Sequence, residues 1–202
     1  QSLLEKNGWK KGADGVYSKK TAKTASTTIA FDIYTADSSD LKQAAEHVKN
    51  TWNALGARVS VRVYESSDLY QNIIRTRKYD ALLFGEVIGK DRDLYAFWHS
   101  SQLKSPGLNV ALYANSKTDK LLEDIRTTSD ETIRASKFAQ FDQLIRADIP
   151  AIFLYMPDFI YAVPKKLKHI ELSSLNTSSD RWSSVATWYE ETERVWNIFI
   201  KK

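Results

Sequence analysis

The chain has 202 residues, which is enough for one domain with a core, or one domain and an extension, but tight for two full domains. Hydrophobic residues make up 43% and charged residues 27%, as in an ordinary globular chain, and no apolar stretch approaches the roughly 18 residues of a membrane span. The net charge of +4 is small and the 29 basic and 25 acidic residues are interspersed, which disfavours nucleic acid as a partner, while the absence of cysteine excludes disulfides and thiolate catalysis.

The N-terminus has the pattern of a helix end. The first residues read QSLLEKNG, in which a basic residue and an Asn-Gly pair suit the C-terminus of a helix. A helix this short cannot nucleate alone in water, so we expect the sequence to have been cut from something longer. The Asp14-Gly15 turn and the polar stretch KTAKTAS then predict a hairpin or a loop.

Residues 28 to 88 predict a βαβαβ unit. Alternating apolar residues predict strands in TTIAFDIYT and ARVSVRVYE, and YDALLFGEV predicts a third, nearly continuous apolar strand buried on both faces. A helix that starts with a cap at Ser39 or Asp40 and stops at Gly56 separates the first two strands, and a second capped helix precedes the third. Right-handed crossovers turn this pattern into a parallel three-stranded sheet with helices packed on it.

The rest of the chain is less regular. A loop-rich stretch is followed by two tandem helices, the second starting at Ser129. The segment AIFLYMPDFIYAV predicts a long apolar β run broken by Pro157. Because no basic run is interleaved with the aromatic residues of the tail, they predict buried anchors rather than a stacking platform; these residues are Trp182, Trp188, Tyr189, Trp196 and Phe199.

The sequence carries no recognisable catalytic, metal or phosphate motif. Its three histidines, at positions 47, 99 and 169, lie far apart and lack metal-ligand spacing. The first strand-to-helix turn, TADSSD, contains no glycine that would cradle a phosphate. No nucleophile or acid and base converge in the pattern, so we expect no enzyme, no metal and no cofactor.

An acidic cluster follows the third predicted strand. Glu86, Asp91 and Asp93 fall where ligands bind in parallel α/β sheets, beyond the carboxyl ends of the strands. Asp91 and Asp93 also fit a helix N-terminus before LYAFW, where carboxylates cap free amides, and this alternative is favoured. A second set of polar residues, Asn109, Tyr113, Asn115 and Asp119, fits either ligand contacts or turn and cap roles.

Several short motifs, taken in order, carry a family resemblance. They are Gly8-Trp9, Asp14-Gly15, Leu55-Gly56, Tyr79-Asp80, Asp91-Arg92-Asp93, and the Tyr113, Asn115 and Asp119 spacing. Together they resemble the C-terminal lobe of the extracellular solute-binding proteins, family 5, that serve oligopeptide, dipeptide and nickel ABC transporters. The resemblance covers nearly the whole chain.

The resemblance implies an α/β lobe of the type II periplasmic-binding-protein fold. Residues 1–163 would form the ligand-binding lobe, and residues 164–202 an extension that packs near the hinge or the other lobe. The preceding lobe would be missing, which explains the helix without a beginning. The strand around Ile152 to Val163 and the aromatic tail would run back toward that missing lobe.

The resemblance also implies binding rather than catalysis. A monomer would capture a peptide or a similar small solute between two lobes and deliver it to an ABC transporter permease. The full-length protein would be periplasmic or extracellular and anchored as a lipoprotein. Two rivals remain: a lobe that senses a ligand for a regulator or signalling protein, and an enzyme.

The family motif places the candidate cleft residues. In dipeptide-binding members, a carboxylate after the third strand receives the peptide's amino group, and Ile88 occupies that place here, with Glu86 two residues away. Arg92 replaces the family's proline. The residues carried over as solute contacts are Glu86, Asp91, Asp93, Trp98 and Asn109.

Overall fold

The computed structural model describes residues 1–21, 25–89, 92–171 and 177–190, in two compact units. The first unit comprises residues 1–86 and 95–150, and the second comprises the described residues of 87–94 and 151–202. Asp91, Trp196 and Phe199 lie outside the described residues. The domain boundary after residue 163 stays a prediction.

The first unit begins with a short helix, as its first residues predict, and with a small antiparallel sheet where the turn residues predict a hairpin or a loop. Helix α1 spans Ser2–Lys6, and the strands, in the sheet order β1-β2-β3, are Lys10–Lys11, Tyr17–Lys20 and Ser26–Thr28. Tyr17 is buried, and its hydroxyl donates to Glu5 at 2.9 Å, which ties α1 to the sheet.

The predicted parallel sheet is confirmed. Its strands are β4 (Ala30–Ala36), β5 (Arg58–Tyr64) and β6 (Ala81–Leu82), arranged in the order β5-β4-β6. Ile33 of the central strand is in register with Val61 on one side and with Ala81 on the other. The strand that comes first in the chain therefore holds the middle of the sheet.

Helix α2 (Ser39–Leu55) packs its apolar stripe against this sheet. The core between them contains Ile33, Ala45 and Val59. The helix stops at Gly56 as predicted, with a left-handed φ of 102° that glycine adopts without strain. At the other end the N-cap is Ser38, one residue earlier than predicted.

The second predicted helix is also present, with an unusual turn. Helix α3 (Ser66–Asp68) is capped by Glu65, which accepts from two backbone amides, and it continues as a π-helical segment over Leu69–Ile74. The buried side chains of this segment pack against Tyr34, Tyr79 and Leu82, among others. The helix thus covers the carboxyl half of the sheet.

The third predicted strand is much shorter than the apolar run YDALLFGEV, and its burial on both faces is wrong. Only Ala81 and Leu82 form strand pairs, both with β4. Phe84 is 46% exposed and Val87 is 67% exposed. Because β6 lies at the edge of the sheet, no described strand flanks its other side, and the run leaves the sheet after two residues.

Three helices complete the first unit: α4 (Tyr95–Trp98), α5 (Ser116–Thr127) and α6 (Glu131–Asp148). The tandem helices α5 and α6 are confirmed, although α6 begins at Glu131 with Asp130 as its cap rather than at Ser129. Lys137 of α6 binds Asp124 of α5 at 2.7 Å.

The described part of the second unit contains little regular structure. It has the strand pair β7 (Leu167–Lys168) and β8 (Tyr189–Glu190), and two short 3-10 helices. The predicted β run over residues 151–163 is wrong: among the described residues it forms no strand, and Met156 and Ile160 are each 89% exposed. A strand needs a pairing partner, and the described part of the chain offers none to this run.

The aromatic residues of the tail are only partly buried. Trp182 is 47% exposed and Tyr189 is 51% exposed, so the prediction of buried anchors is wrong for both. Three aromatic rings still pack together in this unit. The ring centroids of Trp182 and Trp188 lie 5.6 Å apart, and the ring centroid of Tyr161 lies 6.4 Å from each of them. Among the described residues, no helix is long and apolar enough to cross a membrane.

Candidate functional site

The segment that leaves strand β6 is held firmly at its start. The backbone N–H of Leu83 donates to the carbonyl of Tyr34 at 2.9 Å. The hydroxyl of Thr35, which is fully buried, donates to the carbonyl of Leu83 at 3.2 Å. Both partners belong to the central strand, so the rigid sheet positions the residues that follow.

Beyond Leu83 the backbone has unused hydrogen-bonding groups. Residues 84–87 make no hydrogen bond within the described part of the chain. Around Gly85 there is open space, since a Cβ placed on it would meet no atom within 4 Å. Exposed N–H and C=O groups at the edge of a sheet are a template on which an extended peptide can add as a strand.

Glu86 places an acidic group on this segment. Its side chain is half-buried, and burial raises its pKa from 4.5 to about 7. The cause is loss of hydration, which disfavours the charged carboxylate. A cationic amine brought next to Glu86 would favour the charged form and bind to it.

The other predicted acidic residues give less information. Asp93 is half-buried and belongs to the second unit. Asp91 lies outside the described residues, so neither its predicted capping role nor its role as a solute contact is tested. Both residues stay predicted solute contacts.

Trp98 lies in the core of the first unit. It is 5% exposed, and its ring packs edge-on against Tyr113 and Phe141, with ring centroids 6.4 Å away in both cases. These contacts support a packing role on α4. Its role as a solute contact stays a prediction.

Asn109 is fully buried and its amide group is used by the backbone around it. The amide nitrogen donates to the carbonyls of His99 and Tyr113 at 3.2 Å and 2.8 Å, and the oxygen accepts from the Tyr113 N–H at 3.2 Å. The structure thus joins Trp98 and Asn109 through Tyr113. The geometry supports a structural role for Asn109, whose predicted solute contact is untested.

The polar residues that follow Asn109 serve as caps and ties. Asn115 caps helix α5 by accepting from the Lys117 N–H, and it donates to Asp148 at 2.8 Å. Tyr113 donates to the same carboxylate at 2.6 Å. Burial and this hydrogen bond raise the pKa of Tyr113, and the hydrogen bonds from Tyr113 and Asn115 lower the pKa of Asp148.

Sequence reasoning missed a second polar cluster, centred on His99. The imidazole Nδ1 accepts from the Ser101 N–H at 3.1 Å, and the ring stacks on Tyr95 with 4.0 Å between centroids. Asp119 accepts from the Ser100 N–H and hydroxyl at 2.9 Å and 2.6 Å. Asp119 belongs to a spacing that the sequence displays, whereas no pattern marks His99.

Metal binding finds no support in the geometry. Within the residues that the structure describes, no three His, Cys, Asp or Glu side chains form a group that could hold a metal ion. Hydrogen bonds to the backbone hold Asn109, and bonds to the Asp148 carboxylate hold Tyr113 and Asn115, so these polar groups already have partners within the described residues.

Comparison with known proteins gives a family match. The model of the family described as bacterial extracellular solute-binding proteins, family 5 Middle, matches residues 1–109. The chain is 29% identical over 171 residues to the oligopeptide-binding protein AppA of Bacillus subtilis, a match that covers 83% of this chain and 30% of the relative. It is 24% identical over 159 residues to the probable D,D-dipeptide-binding periplasmic protein DdpA of Escherichia coli, covering 77% of this chain and 30% of that one.

Solved structures agree with the sequence match. AppA from Bacillus subtilis in complex with a nonapeptide superimposes with a TM-score of 0.75 at 26% identity, covering 95% of this chain and 36% of AppA. NikZ from Campylobacter jejuni in complex with Ni(L-His) has a TM-score of 0.69 at 22% identity, covering 94% of this chain and 38% of NikZ. The chain therefore spans about a third of the length of the relatives it matches.

Proposed function

Because the chain belongs to the bacterial extracellular solute-binding proteins of family 5, we propose that the protein captures a peptide or a similar small solute for an ABC importer. The observation that carries this proposal is the free backbone of residues 84–87, which leaves the edge of a rigid sheet into open space. A peptide can add to such a segment as a strand. Binding, rather than catalysis, is the chemistry that this arrangement serves.

Glu86 is the proposed partner of a positively charged group on the solute. Its raised pKa means that the free protein carries the carboxyl partly protonated near neutral pH. An α-amine of a peptide would restore the charged form on binding. Asp91, Asp93, Trp98 and Asn109 stay proposed contacts of the solute.

The solute is proposed to lie between this chain and a second lobe. Two observations support the proposal: the chain spans about a third of its relatives' length, and residues 151–163 present an exposed apolar run. We propose that the second lobe covers this run, that the protein acts as a monomer with an ABC permease, and that it is anchored as a lipoprotein. The family is one of periplasmic or extracellular proteins.

A titration followed by NMR tests the proposed site. We expect a mixed peptide library to shift the amide signals of residues 83–89 of the 202-residue chain, with a dissociation constant weaker than about millimolar. The affinity is low because one lobe supplies only part of the contact area, and closure over the solute is absent.

Matched variants make the titration specific. Glu86→Gln should weaken the shifts caused by peptides with a free amino terminus and leave those caused by acetylated peptides unchanged. Asp158→Asn, at an exposed position of the second unit, is the control and should change neither. Binding at about micromolar or tighter by this chain alone would contradict the two-lobe proposal, and shifts confined to other residues would contradict the site.

A further inference from the structure

The surplus of positive over negative charge falls in one segment of the chain. Residues 1–28 contain six lysines, no arginine and only two acidic residues, so this segment alone carries the +4 surplus of the whole chain. The remaining residues are balanced in charge. Basic and acidic residues are interspersed along the chain, but the excess of basic residues comes from residues 1–28.

The structure gathers these lysines around the small antiparallel sheet. Lys6 ends helix α1, Lys10 and Lys11 form β1, and Lys19 and Lys20 end β2. We call these five residues the lysine surface. All are exposed except Lys19, which is half-buried. Because Lys10 is in register with Ser18, the side chains of Lys10 and Lys20 leave the same face of the sheet, whereas Lys11 and Lys19 lie on the face of buried Tyr17.

The lysine surface is not neutralised by its own carboxylates. Glu5 accepts from the Tyr17 hydroxyl at 2.9 Å, and Asp14 pairs with Arg58 at 2.7 Å. Among the described residues, no carboxylate lies within ion-pair distance of Lys6, Lys10, Lys11, Lys19 or Lys20. Glu5 keeps its negative charge beside Lys6, so five lysines face one carboxylate and produce a net positive local potential.

The type of side chain indicates what the surface binds. Lysine is a compact, hydrated point charge on a flexible stem, whereas arginine is the residue for shaped recognition of a single carboxylate or phosphate. Flexible lysines on one face of the sheet, as Lys10 and Lys20 are, suit a flat and diffuse layer of negative charge. Half-exposed Trp9 adjoins Lys10, and tryptophan favours the boundary between lipid and water.

We propose that the lysine surface docks the protein on the anionic phospholipid headgroups of a membrane. The attraction is electrostatic and falls off within a Debye length, so it is reversible and weakens with salt. Docking would keep a solute carrier close to the membrane in which a permease lies, and it uses residues other than those of the Glu86 segment.

Co-sedimentation with lipid vesicles tests the proposal. The 202-residue chain should bind vesicles made of equal parts phosphatidylglycerol and phosphatidylcholine at low salt, and should be released by high salt. It should not bind vesicles of phosphatidylcholine alone. The triple variant Lys6→Gln/Lys10→Gln/Lys20→Gln should bind the anionic vesicles about a hundredfold more weakly, since each lysine near such a surface contributes about a factor of five to ten.

A matched control separates the surface from net charge. Lys104, Lys117 and Lys120 are exposed and lie outside the lysine surface, so replacing these three with glutamine removes the same charge. This control should bind vesicles within about twofold of the unmodified chain. Circular dichroism should show both triple variants folded.

Three outcomes would overturn membrane docking. They are no binding to anionic vesicles at low salt, equal losses in the two triple variants, and salt-sensitive capture of the chain by a soluble acidic protein without vesicle binding. Solute binding is read by the NMR titration, so a failure of membrane docking leaves the peptide site unaffected, and the reverse also holds.

Discussion

The carboxyl group of Glu86 lies in a partly buried environment that disfavours its charged form. Burial raises its pKa to about 7, and within the described part of the chain no opposite charge offsets the loss of hydration. Its position after the third strand is visible in the sequence, but its burial depends on how residues distant in the chain pack around it.

Replacing Glu86 with glutamine should change the pH dependence of stability. The pKa of Glu86 in the folded state lies above its ordinary value of 4.5, so the folded state keeps the proton to a higher pH than the unfolded state. The protonated carboxyl therefore contributes fully to stability below about pH 4.5, and this contribution is lost as the pH rises through about 7. We expect Glu86→Gln to be more stable than the unmodified chain by about 1 to 2 kcal/mol at about pH 8, and nearly equal to it at about pH 4.

Urea unfolding followed by circular dichroism at the two pH values measures the difference. Asp158→Asn is the control, since it also replaces a carboxyl group with an amide, but at an exposed position. A stability difference between Glu86→Gln and the unmodified chain that does not grow with pH would show that burial does not control this group.

For Asn109 and Trp98, the type of residue alone does not distinguish a solute contact from a structural role. A buried amide and a peptide-binding amide look alike in a sequence, because both are asparagines near turn residues. The structure distinguishes them by three hydrogen bonds between Asn109 and backbone groups, two donated and one accepted by its side chain, and by the packing of Trp98 on Tyr113. Such contacts join segments distant in the chain, and local patterns do not contain them.

Gly56 controls the junction between helix α2 and strand β5. Its φ is 102°, and an added Cβ would lie 2.7 Å from the Tyr17 ring and 3.0 Å from the Gly15 carbonyl. We expect Gly56→Ala to lower the free energy of unfolding by about 2 to 4 kcal/mol, because it adds backbone strain to a steric clash.

Thermal or urea unfolding of Gly56→Ala tests this expectation. Gly85→Ala is the matched control, since its Cβ would enter open space and should change stability by less than about 0.5 kcal/mol. Equal stabilities for the two variants would mean that Tyr17 moves aside without cost.

The helices and strands of residues 28 to 88 could be predicted because their apolar spacing is periodic. Helix α2 and strands β4 and β5 each show the period of their own structure, and the structure confirms them. Strand β6 is shorter than its apolar run predicts, and the run over residues 151–163, predicted as a strand, forms none. An apolar segment has a tendency to form a β-strand, but whether it does so depends on a partner strand from another part of the chain.

The two units of the molecule differ in how much core they contain. The buried clusters around Ile33 and Leu69 both lie in the first unit, which also holds the parallel sheet. In the described part of the second unit, most large apolar side chains are exposed to solvent. The family resemblance is confirmed, but the sequence does not show which unit is stable by itself.

Hydrogen exchange should reveal this difference in the 202-residue chain. We expect the slowest amides in β4, β5 and α2, because their hydrogen bonds are covered by a core, and exchange should be fastest in residues 151–163. Mass spectrometry of peptic fragments measures both regions in one experiment. A uniform exchange rate along the chain would contradict an independently folded first unit.

The central place of β4 has a consequence for folding on the ribosome. Ile33 of β4 is in register with Val61 of β5 and with Ala81 of β6. Of the three strands in this sheet, β4 is synthesised first, and it can pair with β5 and with β6 only after each of them has been made. During synthesis β5 emerges before β6, and the sheet therefore grows outward from β4, first on one side and then on the other. The edge that closes last is the one that leads into Glu86, so the nascent chain acquires its proposed binding segment only after its core strands have paired.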